Sequence, residues 1–333
     1  MYAPFANAQF MSRIARNDLS PKTLEDYLRY LRLWMSFAGN VDLETVQLVD
    51  LERFMAYMRD DYRTRFDTLL SQAGLQNCWT ALRSFWRWVS DSRRGLENVS
   101  EGLRAISVPE PVVLPLDKTE AQALIEACYH TALAVTTSRR SFRYGRREAY
   151  RDVAILLVLL DTGIRVGELH RLDVGHVDLP RSELEVKPFR SGRKSQPRVL
   201  PFTRDTQAVL LRWFTQRKES GDEPLTRDGD LMPEAPVFIT LDNGQRFKVR
   251  AIEHMLARLG ERAHVDNVHP HRFRHTFAIE YLRNGGDPWT LQRMLGHSTM
   301  EMVRRYLHFA KEDIRGAHAR ASAVARWRFY IPK

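Results

Sequence analysis

The stretch HPHRFRHTFAIEYLRNGGDPWTLQRMLGHSTMEMVRRY, residues 269–306, gathers His271, Arg274, His297 and Tyr306 within a short span of chain. If His271 opens a helix, Arg274 lies about one turn on and His275 four residues on, so all three share one face. Asn284-Gly285-Gly286-Asp287-Pro288 then breaks the helix, because paired glycines followed by proline do not extend it. A second helical piece runs from Trp289 to near Gly296, and a third carries Met302, Val303 and Tyr306. The chain thus folds back, an arrangement able to bring His297 and Tyr306 over Arg274.

Upstream, Arg151 to Leu160 reads as a buried helix that Asp161-Thr162-Gly163 ends or kinks before Ile164 to Leu169 resumes helical periodicity. Arg165 therefore starts a helix, where exposed amides favour an anion, although Arg165 and Glu168 could equally form a weak surface ion pair. Leu184 to Phe189 and Arg198 to Pro201 read as a β-hairpin with the basic tip Arg190-Ser191-Gly192-Arg193, and Lys194 lies on that tip. Thr203 is expected to cap a helix through Phe214. Val237 to Thr240 is expected as a short strand before the turn Asp242-Asn243-Gly244, and a helix follows from Val249 to Leu259.

The N-terminal part is all helical. Ser20-Pro21 reads as N-cap and first helical position, with Leu24, Leu28, Leu31, Met35 and Ala38 on one face. Asp50 reads as a cap before Leu51, Phe54, Met55 and Met58, and a longer pattern runs through Leu69, Leu70, Trp79, Leu82, Phe85, Trp86 and Val89. Aromatics at such spacing are core, with a base-stacking platform as the alternative. Pro109, Pro111 and Pro115 mark a linker over 106–116. Residues 139–151 then hold six arginines interleaved with aromatics, either an arm along a phosphate backbone or a solvated loop.

The chain carries 51 Lys and Arg against 41 Asp and Glu. Residues 1–105 hold 14 against 13, so nearly all the excess lies beyond them. That balance suits a polyanion. Cys78 and Cys128 lack any metal or disulfide spacing and read as core thiols. The start of the chain lacks the pattern of a signal peptide, and the longest apolar run, Val153 to Leu160, is too short to span a bilayer, so a cytoplasmic location without membrane contact is the expectation.

Two arginines, two histidines, a lysine and a tyrosine without a matching carboxylate cluster describe a site for an anion. Guanidinium forks stabilise the equatorial oxygens of a phosphoryl transition state, and tyrosine can attack phosphorus when one neighbour accepts its proton and another donates to the leaving oxygen. A zinc site from His264, His269, His271 and His275 is a weaker reading: no HExxH glutamate is present, and Arg272 and Arg274 would repel a dication.

With these motifs the chain resembles the tyrosine recombinases, or phage integrase family, as a two-domain member similar to the Xer proteins. TGIRVGEL at 162–169 looks like the family's first arginine motif, HRFRH at 271–275 like its HxxR motif, and LGHS at 295–298 precedes Tyr306 at the nucleophile's position. The resemblance implies a mainly α fold with a small β-sheet or hairpin. A helical core-binding domain (1–105) and a linker (106–116) would precede a mixed α+β catalytic domain (117–310) and a tail helix (311–333), the domains closing as a C-shaped clamp on duplex DNA. Tyr306 would be the nucleophile; Arg165, Arg274 and His297 would hold the phosphate, His271 would assist proton removal and Lys194, or alternatively Lys187, would protonate the leaving oxygen. Glu168 would buttress Arg165, and Arg139, Arg140, Arg143, Arg146, Arg147 and Arg193 would contact DNA. No metal, ATP or other cofactor is implied. The implied partners are a specific double-stranded recombination site and further copies of the chain: monomer or dimer when free, a tetramer on synapsed DNA with the tail exchanged between protomers. The alternatives are a non-catalytic DNA-binding regulator of the same fold and a type IB topoisomerase-like enzyme.

Overall fold

The computed structural model describes residues 21–39, 41–92, 97–108, 114–130, 145–188, 196–220 and 225–309. The chain divides into two compact units, Met1–Pro111 and Val112–Lys333. Among the described residues no helix is long and apolar enough to cross a membrane.

The first unit is built from α1 (Pro21–Ala38), α2 (Leu48–Asp60) and α3 (Gln72–Ser92). Its core joins Tyr30, Leu31 and Trp34 of α1 to Leu51, Phe54 and Met58 of α2 and to Leu82, Phe85 and Trp86 of α3, all buried. The stripe of α1 is thus turned slightly from the expected Leu28 and Met35, because Tyr30 and Trp34 offer more area to bury. Trp34 meets Phe54 edge-on at 5.4 Å. Asp50 is not the cap of α2: the helix begins at Leu48, and the Asp50 carboxylate reaches back to accept from the Gln47 amide at 3.0 Å. Of the α3 aromatics, Phe85 and Trp86 are buried, while Trp79 donates to the Leu103 carbonyl at 3.2 Å and ties the following segment to the helix.

The second unit contains α4 (Lys118–Tyr129), α5 (Ala149–Thr162), α6 (Val166–His170), a short 3-10 turn, β1 (Val177–Asp178), β2 (Glu183–Val186), β3 (Arg198–Pro201), α7 (Arg204–Ser220), α8 (Val249–Ala263), α9 (Pro270–Arg283), α10 (Pro288–Leu295) and α11 (Glu301–Phe309). The three strands form one antiparallel sheet in the order β1-β2-β3, with Leu184 opposite Leu200 and Val186 opposite Arg198. The fold is mainly helical with this small sheet.

Helix α5 is apolar on nearly every side because it is central, packing against α4, α7 and α9. Its one buried acid, Asp152, accepts from Arg146 Nη2 at 2.7 Å and from Arg151 Nη2 at 2.8 Å. Helix α7 begins at Arg204, directly after the expected cap Thr203, and runs to Ser220, beyond the expected Phe214. The Asp161 carboxylate at the end of α5 accepts from the Thr203 amide and hydroxyl and from Thr206. Val237 to Thr240 forms no strand: isolated bridges pair Pro236 with Asp173 and Ile239 with Arg246. Buried Arg217 and Trp213 hold this segment by donating to the Pro236 and Val237 carbonyls at 2.6 and 2.8 Å.

Candidate active site

Two glycines at positive φ shape the site. Gly163 closes α5 at φ 59° and Gly296 closes α10 at φ 61°, conformations that carry little cost without a Cβ. A Cβ at Gly163 would stand 2.3 Å from the Phe277 ring, so only glycine admits the close approach of α9. The turned helix ends present carbonyls inward, where their partial negative charge suits cations.

The arginines take up those carbonyls. Arg274, buried on α9, donates from Nη1 to the Gly163 carbonyl and from Nη2 to the Leu295 carbonyl, both at 2.7 Å. Arg165, at the N-cap of α6, donates from Nη2 to the Gly296 carbonyl at 3.2 Å and from Nη1 to Glu168 at 3.3 Å. A third guanidinium, which sequence reasoning passed over, is Arg198 on β3: it donates from Nε to the Met294 carbonyl at 2.6 Å and from Nη2 to Glu168 at 2.7 Å. Glu168 is 4% exposed and is therefore no surface ion-pair partner. Burial alone would raise its pKa, but the hydrogen bond and charge of Arg198, then those of Arg165, bring it down to about 2. Two guanidiniums thus share one carboxylate. Burial and then the charge of Arg165 push Arg274 down to about 9, the mark of a pocket short of negative charge.

His297 follows Gly296 and is buried. Its Nε2 lies 2.8 Å from Arg274 Nη2. Arginine has only protons to offer, so Nε2 accepts and the proton sits on Nδ1. That buried Nδ1 has no hydrogen-bond partner among the described residues. Burial first, then the charges of Arg274, Arg165 and Arg198, hold the imidazole neutral with a pKa of about 3. An orphaned donor beside a surplus of positive charge is a place for an anion's oxygen.

Tyr306 is 7% exposed on α11, and its ring stacks on His297 with centroids 6.3 Å apart and planes at 12°. His275 also meets this ring, with centroids 5.4 Å apart and planes at 54°. Burial raises the Tyr306 pKa, partly opposed by Arg274, Arg305 and Arg165. Among the described residues the rings against Tyr306 are those of His275 and His297. His271 lies exposed on the first turn of α9 with its ring 6.4 Å from that of His269, and partial desolvation and then the charges of Arg274 and Arg165 lower its pKa. Arg272 faces the start of the unit, donating to Glu120 at 2.7 Å and to the Leu114 carbonyl at 3.1 Å. Among the described residues no three His, Cys, Asp or Glu side chains converge.

Of the arginines expected at DNA, Arg139, Arg140, Arg143 and Arg193 lie outside the described residues, as do Lys194 and the tail 311–333. Lys187 is exposed beside Glu185 at 3.9 Å. Arg147 is exposed. Arg146 is a correction: its guanidinium turns inward to Asp152 and to the Cys128 carbonyl, because a buried carboxylate needs a partner more than the surface needs a charge.

The signal for Arg198 was strand parity: it shares a face with buried Leu200 while Val199, between them, is 55% exposed. An arginine on the inward face of a strand has an internal carboxylate to meet. The signal for His275 was its place on the same helical face as His271 and Arg274.

Comparison with known proteins adds the following. The model of the phage integrase family matches residues 116–313. Tyrosine recombinase XerC of Escherichia coli O6:K15:H31 (strain 536 / UPEC) is 29% identical over 309 residues, covering 91% of this chain and 92% of that protein. Among solved structures, the Tn1549 transposon integrase in complex with transposon right end DNA superposes with a TM-score of 0.70 at 18% identity, covering 98% of this chain and 100% of that one. XerH site-specific recombinase bound to palindromic difH gives 0.64 at 17% identity, covering 92% and 80%. A lambda integrase dimer bound to a COC′ core site gives 0.65 at 13% identity, covering 94% and 79%. At those identities the likeness is one of fold.

Proposed function

The chain belongs to the phage integrase family and is a tyrosine site-specific recombinase that acts on DNA, and on that premise we propose how its own residues carry the reaction. Tyr306 Oη attacks the scissile phosphorus. The Oη–P bond forms as the P–O5′ bond breaks, leaving a 3′-phosphotyrosyl link and a free 5′-hydroxyl. Arg165, Arg274 and His297 bind the non-bridging oxygens, with His271 at the exposed rim of the same helix face. Lys194 protonates the leaving oxygen. A partner strand's 5′-hydroxyl reverses the step, and the phosphotyrosyl link retains the energy of the broken bond.

The observation that carries this reading is the stack of Tyr306 on a neutral His297 whose Nδ1 donor is orphaned and whose Nε2 is taken by Arg274. Preorganised donors around a phosphate stabilise charge where it develops. Glu168 holds Arg165 and Arg198 in register for that task. Residues 1–105 supply a helical DNA-binding domain, 106–116 the linker and 117–310 the catalytic domain; 311–333 is a tail exchanged between protomers in a synaptic tetramer, and the protein works in the cytoplasm on a specific duplex site.

A nicked suicide DNA substrate traps the covalent intermediate. Tyr306→Phe is expected to abolish the adduct on a denaturing gel while leaving DNA affinity within a few fold; an adduct that persists in that variant refutes Tyr306 as nucleophile.

A further inference from the structure

Glu168 offers one negative charge to two arginines, and it does not divide that charge evenly. Arg198 takes both carboxylate oxygens, from Nη1 at 3.1 Å and Nη2 at 2.7 Å, whereas the Arg165 side chain reaches Oε1 alone, from Nη1 at 3.3 Å. The two-pronged pair is the stronger. Every nitrogen of Arg198 is engaged: Nε donates to the Met294 carbonyl at 2.6 Å, Nη1 also donates to the Gln196 carbonyl at 3.2 Å, and the side chain is 8% exposed. Such a guanidinium is not placed to meet DNA. Arg165 is more open, with a side chain 27% exposed and longer bonds of 3.3 Å to Glu168 and 3.2 Å to the Gly296 carbonyl. An arginine fork carries five N–H donors, more than those two bonds use.

We propose that Arg198 is a positioning residue for DNA cleavage: by holding the Glu168 carboxylate it keeps Arg165 from being neutralised, and so leaves the Arg165 fork to the scissile phosphate. The assignment rests on Tyr306 being the nucleophile and Arg165 a ligand of the phosphate. Without Arg198 the buried carboxylate needs another counter-charge, and Arg165 is the guanidinium already bonded to it. Closing on Glu168 would turn the Arg165 donors inward and cancel charge that the transition state requires. Arg198 acts on the second anchor of Arg165 as well. Its bond to the Met294 carbonyl ties β3 to the end of α10, two residues before Gly296, whose carbonyl accepts from Arg165. One guanidinium that never touches the phosphate thus governs both acceptors of the one that does.

The test measures single-turnover formation of the covalent adduct on nicked suicide DNA by the full chain, with DNA affinity measured beside it. Arg198→Met is expected to cleave about 10²-fold more slowly while DNA affinity stays within a few fold. Adding Glu168→Gln removes the carboxylate that would capture Arg165, and the double variant is expected to recover most of the lost rate. A residue that only held the fold together would respond the other way, because losing a second buried partner adds to the damage. Cleavage by Arg198→Met within a few fold of wild type overturns the assignment, for then another cation, such as Arg171 in the field of Glu168, takes the carboxylate. So does a double variant no faster than Arg198→Met. If Arg198→Met fails to fold, Arg198→Gln, which keeps a donor without the charge, makes the same comparison with and without Glu168→Gln. A wild type that forms no adduct defeats the Tyr306 reading itself, a result distinct from either outcome for Arg198.

Discussion

Glu168 is the residue on which the cationic side of the site depends. Its two oxygens serve Arg165 and Arg198, whose guanidiniums also donate to carbonyls at the end of α10. Because the folded pKa is depressed to about 2 from 4.5, the ion pairs add stability that is present above 4.5 and lost as pH falls toward 2. A shift of that size corresponds to about 3 kcal/mol at most. Glu168→Gln is expected to lower the unfolding free energy at neutral pH by about 2–3 kcal/mol, since two guanidiniums lose their counter-charge. It is also expected to flatten the pH dependence in the acid range. Urea unfolding of both proteins at several pH values checks this; equal acid slopes would show that another group titrates.

At the scale of elements, the helix ends decide. Gly163 stops α5 in a left-handed turn beneath Phe277, and its carbonyl holds Arg274. Gly163→Ala is expected to cost about 2–4 kcal/mol in thermal unfolding, from strain at positive φ plus the clash. Gly145→Ala is the control: a Cβ there meets nothing within 4 Å, and a loss below about 0.5 kcal/mol is expected. Equal effects at the two positions would contradict this account. Much at this scale was legible in the sequence. The break at Asn284 to Pro288 and the stop at Gly163 fall where glycine and proline leave the helix no alternative. What was not legible depended on partners far along the chain. Asp50 looked like a cap because local spacing cannot say that Gln47 is the N-cap, and Val237 to Thr240 looked like a strand although the Val237 carbonyl serves Trp213 of α7. Arg198 stayed hidden because its acceptors are a buried acid on α6 and a backbone carbonyl on α10, and main-chain acceptors have no letter in a sequence.

For the whole molecule, charge has to be counted by where it points. The chain has a net +10, but Arg146 and Arg151 are committed to Asp152, and Arg217 and Arg272 to internal carbonyls and Glu120. Those cations are not available to phosphates. Binding to duplex DNA is expected to weaken with salt at a logarithmic slope of about 0.9 per neutralised phosphate. Arg146→Ala is expected to leave that slope unchanged while costing about 3–5 kcal/mol of stability, because it weakens the pairing of a buried aspartate. Titrations at several salt concentrations, beside unfolding curves, check both halves; a slope reduced by about one would return Arg146 to the DNA surface.

The carbonyls of Gly163, Met294, Leu295 and Gly296 that grip the three arginines have a consequence for how the protein can vary. No point mutation deletes a peptide oxygen. At Met294 and Leu295 any side chain that preserves the helix and fills the same space leaves the arginines anchored. Related chains are therefore free to drift at those two positions while the pocket stays the same shape, and lost function concentrates at the glycines that aim the oxygens.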